Sequence, residues 1–375
     1  LGAISFFIPD LDFWRSILMI NAALSLIAIV GVRLLANLLD PGLFRRRVLI
    51  LGDGLAAREL IRAGSRDMDF VGLVTPGTGA AAEETGGAGQ DIAFEEVPVL
   101  ARQGPLTKLV AQHEVDEIVL ALRERRGRLP IEELMDCRMS GVQVLDALSF
   151  YERELGLVKL DLLSAAWLVH DQGFTQGTLT RLAKRGLDIF LSCAMLIVAS
   201  PVMALAGLAV WIEGRFREPI FYRQTRIGEN GKAFRITKFR SMVCDAESDG
   251  KARWAVKHDP RITRVGAIMR VTRIDELPQL VSVLKGDMSF VGPRPERPEF
   301  VVDLMRAYPY YVVRHRVKPG LTGWAQLRFP YGSSESDALR KLEYDLYYIK
   351  NYSIFLDLLI IIQTVEIVLF GKGAV

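Results

Sequence analysis

The stretch IFLSCAMLIVASPVMALAGLAVWI, Ile189 to Ile212, runs for 24 residues without a charge. At about 1.5 Å per helical residue it is long enough to cross the hydrocarbon core of a bilayer. Arg181, Lys184 and Arg185 precede it, and Arg215 and Arg217 follow it. Cations at both ends favour the cytoplasmic face for both ends. Ser200-Pro201 stands at the centre, where a proline removes one backbone donor and kinks a helix. The reading is a helix that enters the membrane, bends and returns to the same face. A straight span with a tolerated proline is the alternative.

Two other apolar segments flank the polar parts of the chain. Ile17 to Val32 is uncharged, and with Trp14 before it and Leu34 to Leu39 after Arg33 it reaches the ~20 residues that span a bilayer. Arg33 and the run Arg45, Arg46, Arg47 place its C-terminal end in the cytoplasm. LGAISFFIP before it reads as the tail of an earlier span, and a chain starting at Leu1 reads as a fragment. No small-residue cleavage site supports a signal peptide. Ile354 to Phe370 is interrupted by Asp357, Gln363 and Glu366 at roughly helical spacing, the pattern of an amphipathic helix lying on a surface.

Half of the 375 residues are hydrophobic, and 47 Lys and Arg against 44 Asp and Glu leave a net charge of +3. Such a length accommodates two domains plus membrane segments. The cations stand beside apolar runs instead of forming tails, which points to anionic lipid or phosphate and away from nucleic acid. Cys137, Cys193 and Cys244 lie far apart without partners at metal-ligand spacing. A zinc site or disulfide framework is therefore not expected, and a reducing, cytoplasmic setting fits.

RRRVLILGDGLAAREL, Arg45 to Leu60, contains an apolar strand at Val48 to Leu51, then Gly52-x-Gly54-x-x-Ala57 opening a helix. Further strand-like runs follow at Phe70 to Val74, Glu117 to Leu122 and Val142 to Leu145. Helical stretches fall near Pro105 to His113 and Pro130 to Ser140. This alternation predicts a small parallel α/β sheet. The glycines suit a pyrophosphate at a helix N-terminus, but the motif alone is weak, and the second strand ends in VTPG without an acid for a ribose hydroxyl. A regulatory or structural role is favoured over nicotinamide binding. Gly77 to Gln90 is a low-complexity loop.

From about Arg181 the character changes. FYRQTRIGENGKAFRITKFRSM, Phe221 to Met242, predicts a hairpin turning near Glu229-Asn230-Gly231. Strand alternation sends Lys238 and Arg240 to one face and Phe239 to the other; two neighbouring cations repel unless an anion lies between them. Arg261, Arg264, Arg270 and Arg273 follow, then RIDELPQL (Arg273 to Leu280) with its acid pair, Asp275 and Glu276. On its own that pair reads as a helix cap. Beyond it come Arg294 between Pro293 and Pro295, and then Arg314, Arg316 and Lys318. The flanking prolines reduce the freedom that Arg294 loses on a ligand, and Gly292, Gly320 and Gly323 allow close backbone approach. Together they suggest a pocket for a diphosphate.

In KRGLD, the central Ser-Pro, KFRSM, DPRITRVG, DELPQL, KGDMSFVGPRP and KPGLTGWAQ, residues Arg181 to Tyr352 resemble the monotopic phosphoglycosyl transferases, or bacterial sugar transferases. Large members of that family carry membrane helices and a Rossmann-like domain upstream. The implied fold is α/β: membrane helices within 1–40, a Rossmann-like parallel domain at 45–150, a linker at 151–180, and a monotopic α+β catalytic domain at 181–375. That last domain would hold the re-entrant helix, about 188–212, and surface amphipathic helices. One departure is Arg273, where the family often has a capping Ser or Thr; Thr272 is the candidate that shifts the cap by one.

The resemblance implies transfer of a hexose-1-phosphate, glucose or galactose, from a UDP-sugar to undecaprenyl phosphate, with release of UMP through an aspartyl intermediate. Asp275 is then the nucleophile and Glu276 its partner, steering protons or holding Mg²⁺, with both acids as candidate metal ligands. Lys238, Arg240, Arg270, Arg294 and Arg316 are the phosphate-side candidates, and Gln279 lines the pocket one turn on. The setting implied is the cytoplasmic face of a bacterial inner membrane, in contact with its lipids; a homodimer is left open. An NAD-dependent sugar-modifying enzyme and a noncatalytic scaffold of polysaccharide assembly are the alternatives.

Overall fold

The computed structural model describes residues 45–75, 97–121, 129–163, 173, 177–244, 259–329 and 334–370, apart from positions 53, 66 and 103, together with helical residues within 17–32. Trp14 and 33–39 beside the first expected span, Leu122 at the end of the third expected strand, and the low-complexity loop Gly77 to Gln90 lie outside the described residues. The chain divides into two compact units, Leu1–Phe150 and Tyr151–Val375.

In the first unit, β1 (Arg46–Gly52), β2 (Met68–Val74), β3 (Glu117–Ala121) and β4 (Gln143–Asp146) form one parallel sheet in the order β2-β1-β3-β4. Helices α1 (Gly54–Ala63), α2 (Leu106–Gln112) and α3 (Ile131–Met139) connect them. A parallel sheet covered by helices needs strands that are apolar on both faces, and Val48 to Leu51 are fully buried. Gly52 has a reason that lies inside the sheet: a Cβ there would collide with Ala121 on β3. Strand packing thus accounts for the first glycine of the motif without a ligand.

The second unit begins within α4 (Ala147–Leu155). Residues 151–163, inside the stretch expected to link the two domains, are bound along the later helix α10 (Glu335–Lys350). Val158 N donates to Glu343 O (3.0 Å), Leu160 N to Glu343 Oε1 (3.2 Å) and Trp324 Nε1 to Gly156 O (2.6 Å). Leu157 and Val158 are fully buried.

Then comes α5 (Thr178–Glu213), 36 residues long with Pro201 inside it. Its middle carries exposed apolar side chains, Phe190, Ile197, Val198 and Leu205 among them. Its base is polar and buried: Lys184 Nζ reaches Asp357 Oδ2 (2.6 Å), Tyr348 OH (2.9 Å) and Val291 O (3.0 Å). Asp188 Oδ1 accepts from Ser289 Oγ and Phe290 N, both at 3.0 Å. At the far end Val210 packs with Phe239 and Met269, and Glu213 Oε1 accepts from Val265 N (3.0 Å).

The expected hairpin is β5 (Phe221–Ile227) antiparallel to β6 (Ala233–Phe239), with Asn230 and Gly231 at positive φ in the turn. After α6 (Arg264–Val271) a 3₁₀ turn, Ile274–Gln279, leads into α7 (Leu280–Lys285). β7 (Ser289–Val291) pairs in parallel with β8 (Gly320–Thr322), and between them lie α8 (Pro298–Ala307) and a second 3₁₀ stretch, Pro309–Arg316. α9 (Trp324–Arg328), α10 and α11 (Ile354–Phe370) complete the unit.

On α11 the first of the interrupting acids faces inward beside Ile360, while Glu366 is exposed. Asp357 is buried against Lys184, while Phe355, Leu358, Ile362 and Val365 are exposed. The acid that interrupts the apolar run is therefore an internal partner for α5.

Candidate active site

The acid pair occupies the 3₁₀ turn between α6 and α7. Thr272 Oγ1 donates to Ile268 O (2.9 Å), closing α6 instead of capping the next turn. Arg273 stands at φ 59°, in the left-handed region that non-glycine residues seldom adopt. It provides no side-chain cap. The capping-box expectation, with Thr272 as substitute, is thus corrected: the chain turns sharply at Arg273 and winds as 3₁₀ helix, where three residues per turn direct Asp275 and Glu276 apart.

The two carboxylates meet different surroundings. Asp275 is buried, and its Oδ1 has no hydrogen-bond partner. Glu276 Oε1 accepts from Lys238 Nζ (2.6 Å) and from Arg294 (3.3 Å). Burial pushes the Asp275 carboxyl up, against the pull of Lys238 and Arg270. Burial works on Glu276 too, but Lys238 and Arg294 outweigh it and hold that carboxyl well below the usual range. Burial likewise draws Lys238 down, with Glu276 opposing.

The structure brings Lys238, Arg294 and the acid pair together, and places Arg270 in the last turn of α6, where it acts on Asp275 through space. Gln279 is buried directly after Pro278. Arg240 is engaged elsewhere. β6 ends at Phe239, and Arg240 is buried with Glu218 (2.6 Å), Pro219 O (2.9 Å) and Val210 O (3.4 Å), so it braces the end of α5. Lys238 and Arg240 do not share an anion, because each has its own glutamate. Arg316 is exposed at the end of its 3₁₀ stretch.

The residue that matters in that stretch is Arg314, which sequence reasoning left among the general basic series. It is buried, donates to Arg294 O (3.0 Å), pairs with Asp345 (2.9 Å) and contacts Tyr311 OH. Nothing in RHR distinguishes the first arginine from the second until its partner Asp345 is known. The glycines also have a different use. A Cβ on Gly292 would strike Lys318 O, and one on Gly320 would strike Gly292 N. The close approach they permit is strand against strand, pressing the Arg294 loop onto β8.

No group of three or more His, Cys, Asp or Glu among the described residues is arranged to hold a metal ion. Mg²⁺, however, commonly takes one or two protein carboxylates and completes its shell with phosphate and water. Asp275, with an unpartnered buried oxygen, fits that share. Glu276 is the weaker donor, because two cations already neutralise it.

These features define a class: a mixed α/β protein built around one long apolar helix, with an acid pair enclosed by cations in the unit that holds the helix. Residues 179–371 match the family model described as bacterial sugar transferase, and the chain belongs to that family. It is 39% identical over 241 residues to the UDP-N-acetylgalactosamine-undecaprenyl-phosphate N-acetylgalactosaminephosphotransferase of Aeromonas hydrophila, covering 64% of this chain and 56% of that protein. With the UDP-glucose:undecaprenyl-phosphate glucose-1-phosphate transferase of Escherichia coli strain K12 it shares 32% identity over 332 residues, 87% of this chain and 68% of that one. The exopolysaccharide production protein PSS of Rhizobium leguminosarum bv. phaseoli is 42% identical over 196 residues, 51% of this chain but 97% of that protein. The chain thus spans little more than half of the Aeromonas relative.

Proposed function

We propose that this chain transfers a hexose-1-phosphate, glucose or galactose, from a UDP-sugar to undecaprenyl phosphate at the cytoplasmic face of a bacterial inner membrane, with residues 181–375 as the catalytic domain. The names of the Aeromonas and Escherichia coli relatives support the reaction class, the first naming an N-acetylgalactosamine donor and the second a glucose donor. The observation that carries the site is the buried, unpartnered Asp275 oxygen beside the Lys238–Glu276–Arg294 cluster.

In the proposed first step an Asp275 carboxylate oxygen attacks the phosphorus that bears the sugar; the bond to the bridging oxygen breaks and UMP leaves with that electron pair. In the second, a phosphate oxygen of the lipid attacks the same phosphorus and releases the carboxylate. An approaching carboxylate and phosphate repel by about 4 kcal/mol at ~4 Å and an effective dielectric near 20. Lys238, Arg294 and Arg270 are the cations that offset this. Bound Mg²⁺, held chiefly by Asp275 with Glu276 near, would neutralise phosphate charge.

A re-entrant α5 is part of the same proposal. Straight, its 24 uncharged residues would carry the ends about 36 Å apart, on opposite sides of a bilayer. The re-entrant reading is supported by contacts that both ends make within the second unit, Lys184 and Asp188 at one end, Val210 and Glu213 at the other.

Intact-mass analysis of the protein mixed with UDP-glucose or UDP-galactose, lipid withheld, should show a hexose-phosphate adduct that Asp275→Asn abolishes. Product formation on adding lipid, without an adduct beforehand, overturns the covalent route.

A further inference from the structure

Lys238 and Arg294 are the cations best placed for a phosphate, and both are occupied. A single oxygen, Glu276 Oε1, takes the Lys238 ammonium at 2.6 Å and the Arg294 guanidinium at 3.3 Å. The side chains of Lys238 and Glu276 retain 19% and 17% exposure, whereas that of Arg294 retains 41%. Of the two cations Arg294 is the more open to a ligand from solvent, and Lys238 is the more enclosed. A carboxylate and a phosphate make the same charge-assisted contacts with such donors.

We propose that Glu276 is a stand-in anion: its carboxylate occupies the seat between Lys238 and Arg294 that a phosphate group of the nucleotide donor takes, and the donor binds by displacing it. The inference rests on the donor reading above and adds how its site is kept ready. A mostly buried lysine without an anion would be costly. The internal carboxylate removes that cost while the seat is empty and leaves the cations fixed in position. It also makes weak, small anions poor competitors, since each must displace a tethered partner. Asp275 differs in kind, because it makes no direct ion pair with those cations and its Oδ1 has no hydrogen-bond partner, so its influence on them is through space. A fixed structural role for Glu276, or a role as an obligatory metal ligand, predicts that neutralising it weakens phosphate binding; displacement predicts the opposite sign.

The test is calorimetric titration of the full chain in nanodiscs, metal chelated, with UMP and with inorganic pyrophosphate. Glu276→Gln, and Glu276→Ala as a second variant, should bind both probes about tenfold more tightly than wild type, the equivalent of one released charge-assisted contact. Turnover should fall in the same variants. Asp275→Asn removes an equal charge next door and should give a clearly smaller gain, and Lys238→Met placed on Glu276→Gln should abolish the gain. Binding by both Glu276 variants that is equal to or weaker than wild type overturns the proposal, as does a gain in Asp275→Asn as large as that in Glu276→Gln. Tightening of undecaprenyl phosphate but not UMP would give the seat to the acceptor and overturn it too. If neither probe binds wild type or variants, the seat is not a donor phosphate site, and the donor reading falls with the inference. A wild-type hexose-phosphate adduct combined with no tightening in the Glu276 variants sinks the inference alone.

Discussion

Arg314 holds the main chain of Arg294: its guanidinium donates to the Arg294 carbonyl at 3.0 Å while pairing with Asp345 on α10 at 2.9 Å. Arg294 is flanked by prolines, so its side chain points where its backbone is placed, and that backbone is held by a buried charge pair. Removing one partner of such a pair leaves the other uncompensated, at a cost of about 3–5 kcal/mol. Arg314→Met should lower both Tm and kcat/KM for the UDP-sugar, and Asp345→Asn should do the same more mildly. Arg314→Lys, which restores charge without the fork, should recover Tm more than turnover. Thermal unfolding and initial rates on the three variants check this.

Asp275 carries a stability cost from the burial of its carboxylate. Its carboxyl is raised above the ordinary 3.8 by burial, so the folded state holds the proton to higher pH than the unfolded state does. Its contribution to stability therefore declines as pH rises from about 3.8 through the folded value. Asp275→Asn should abolish turnover and raise Tm at pH 7.5, with the gain shrinking as the pH is lowered. An unchanged or lower Tm at pH 7.5 would mean that the ionised carboxylate is well compensated in the free protein.

Lys184 and Asp357 come from positions 173 residues apart and meet at 2.6 Å in a buried cluster with Tyr348. Lys184→Met alone should strand Asp357 and destabilise by about 3–5 kcal/mol, whereas Lys184→Met with Asp357→Leu should recover most of it, since an apolar pair avoids the desolvation. Denaturant or thermal unfolding of the two single variants and the double variant measures the coupling.

Such long-range pairings mark the limit of what the residues disclose in order. The hairpin was legible because Glu229-Asn230-Gly231 favours positive φ between two alternating runs, and the parallel sheet because Val48 to Leu51 is apolar on both faces. The apolar part of α5 follows from 24 uncharged residues, but the helix starts at Thr178, ten residues before the expected start and inside the expected linker, because Lys184 and Asp188 find buried partners that only the fold supplies. The acid pair stood out by its neighbours, but its asymmetry did not: only the fold reveals that Glu276 is claimed by Lys238 and Arg294 while Asp275 is left unpartnered. Strand alternation put Arg240 on the face of Lys238, but periodicity gives a face and not a partner, and Arg240 pairs with Glu218. Asp357 read only as one of three polar interruptions in a surface-lying amphipathic helix, since its partner Lys184 lies 173 residues away.

The path of α5 is open to a direct measurement. Lys184, Arg185 and Asp188 at one end and Val210 and Glu213 at the other all make contacts within the second unit, and the re-entrant path proposed above predicts that both ends lie on one face of the membrane. Arg181 and Arg217, placed just outside the two ends, are suited to single-cysteine substitution in a background where Cys137, Cys193 and Cys244 are replaced by serine. Both new thiols should react with a membrane-impermeant maleimide in inverted vesicles and resist it in intact spheroplasts. Opposite accessibility of the two positions would establish a true span. Pro201→Leu, which restores the donor missing at the centre and favours a straight helix, should then shift the two thiols toward opposite sides and reduce turnover in proportion.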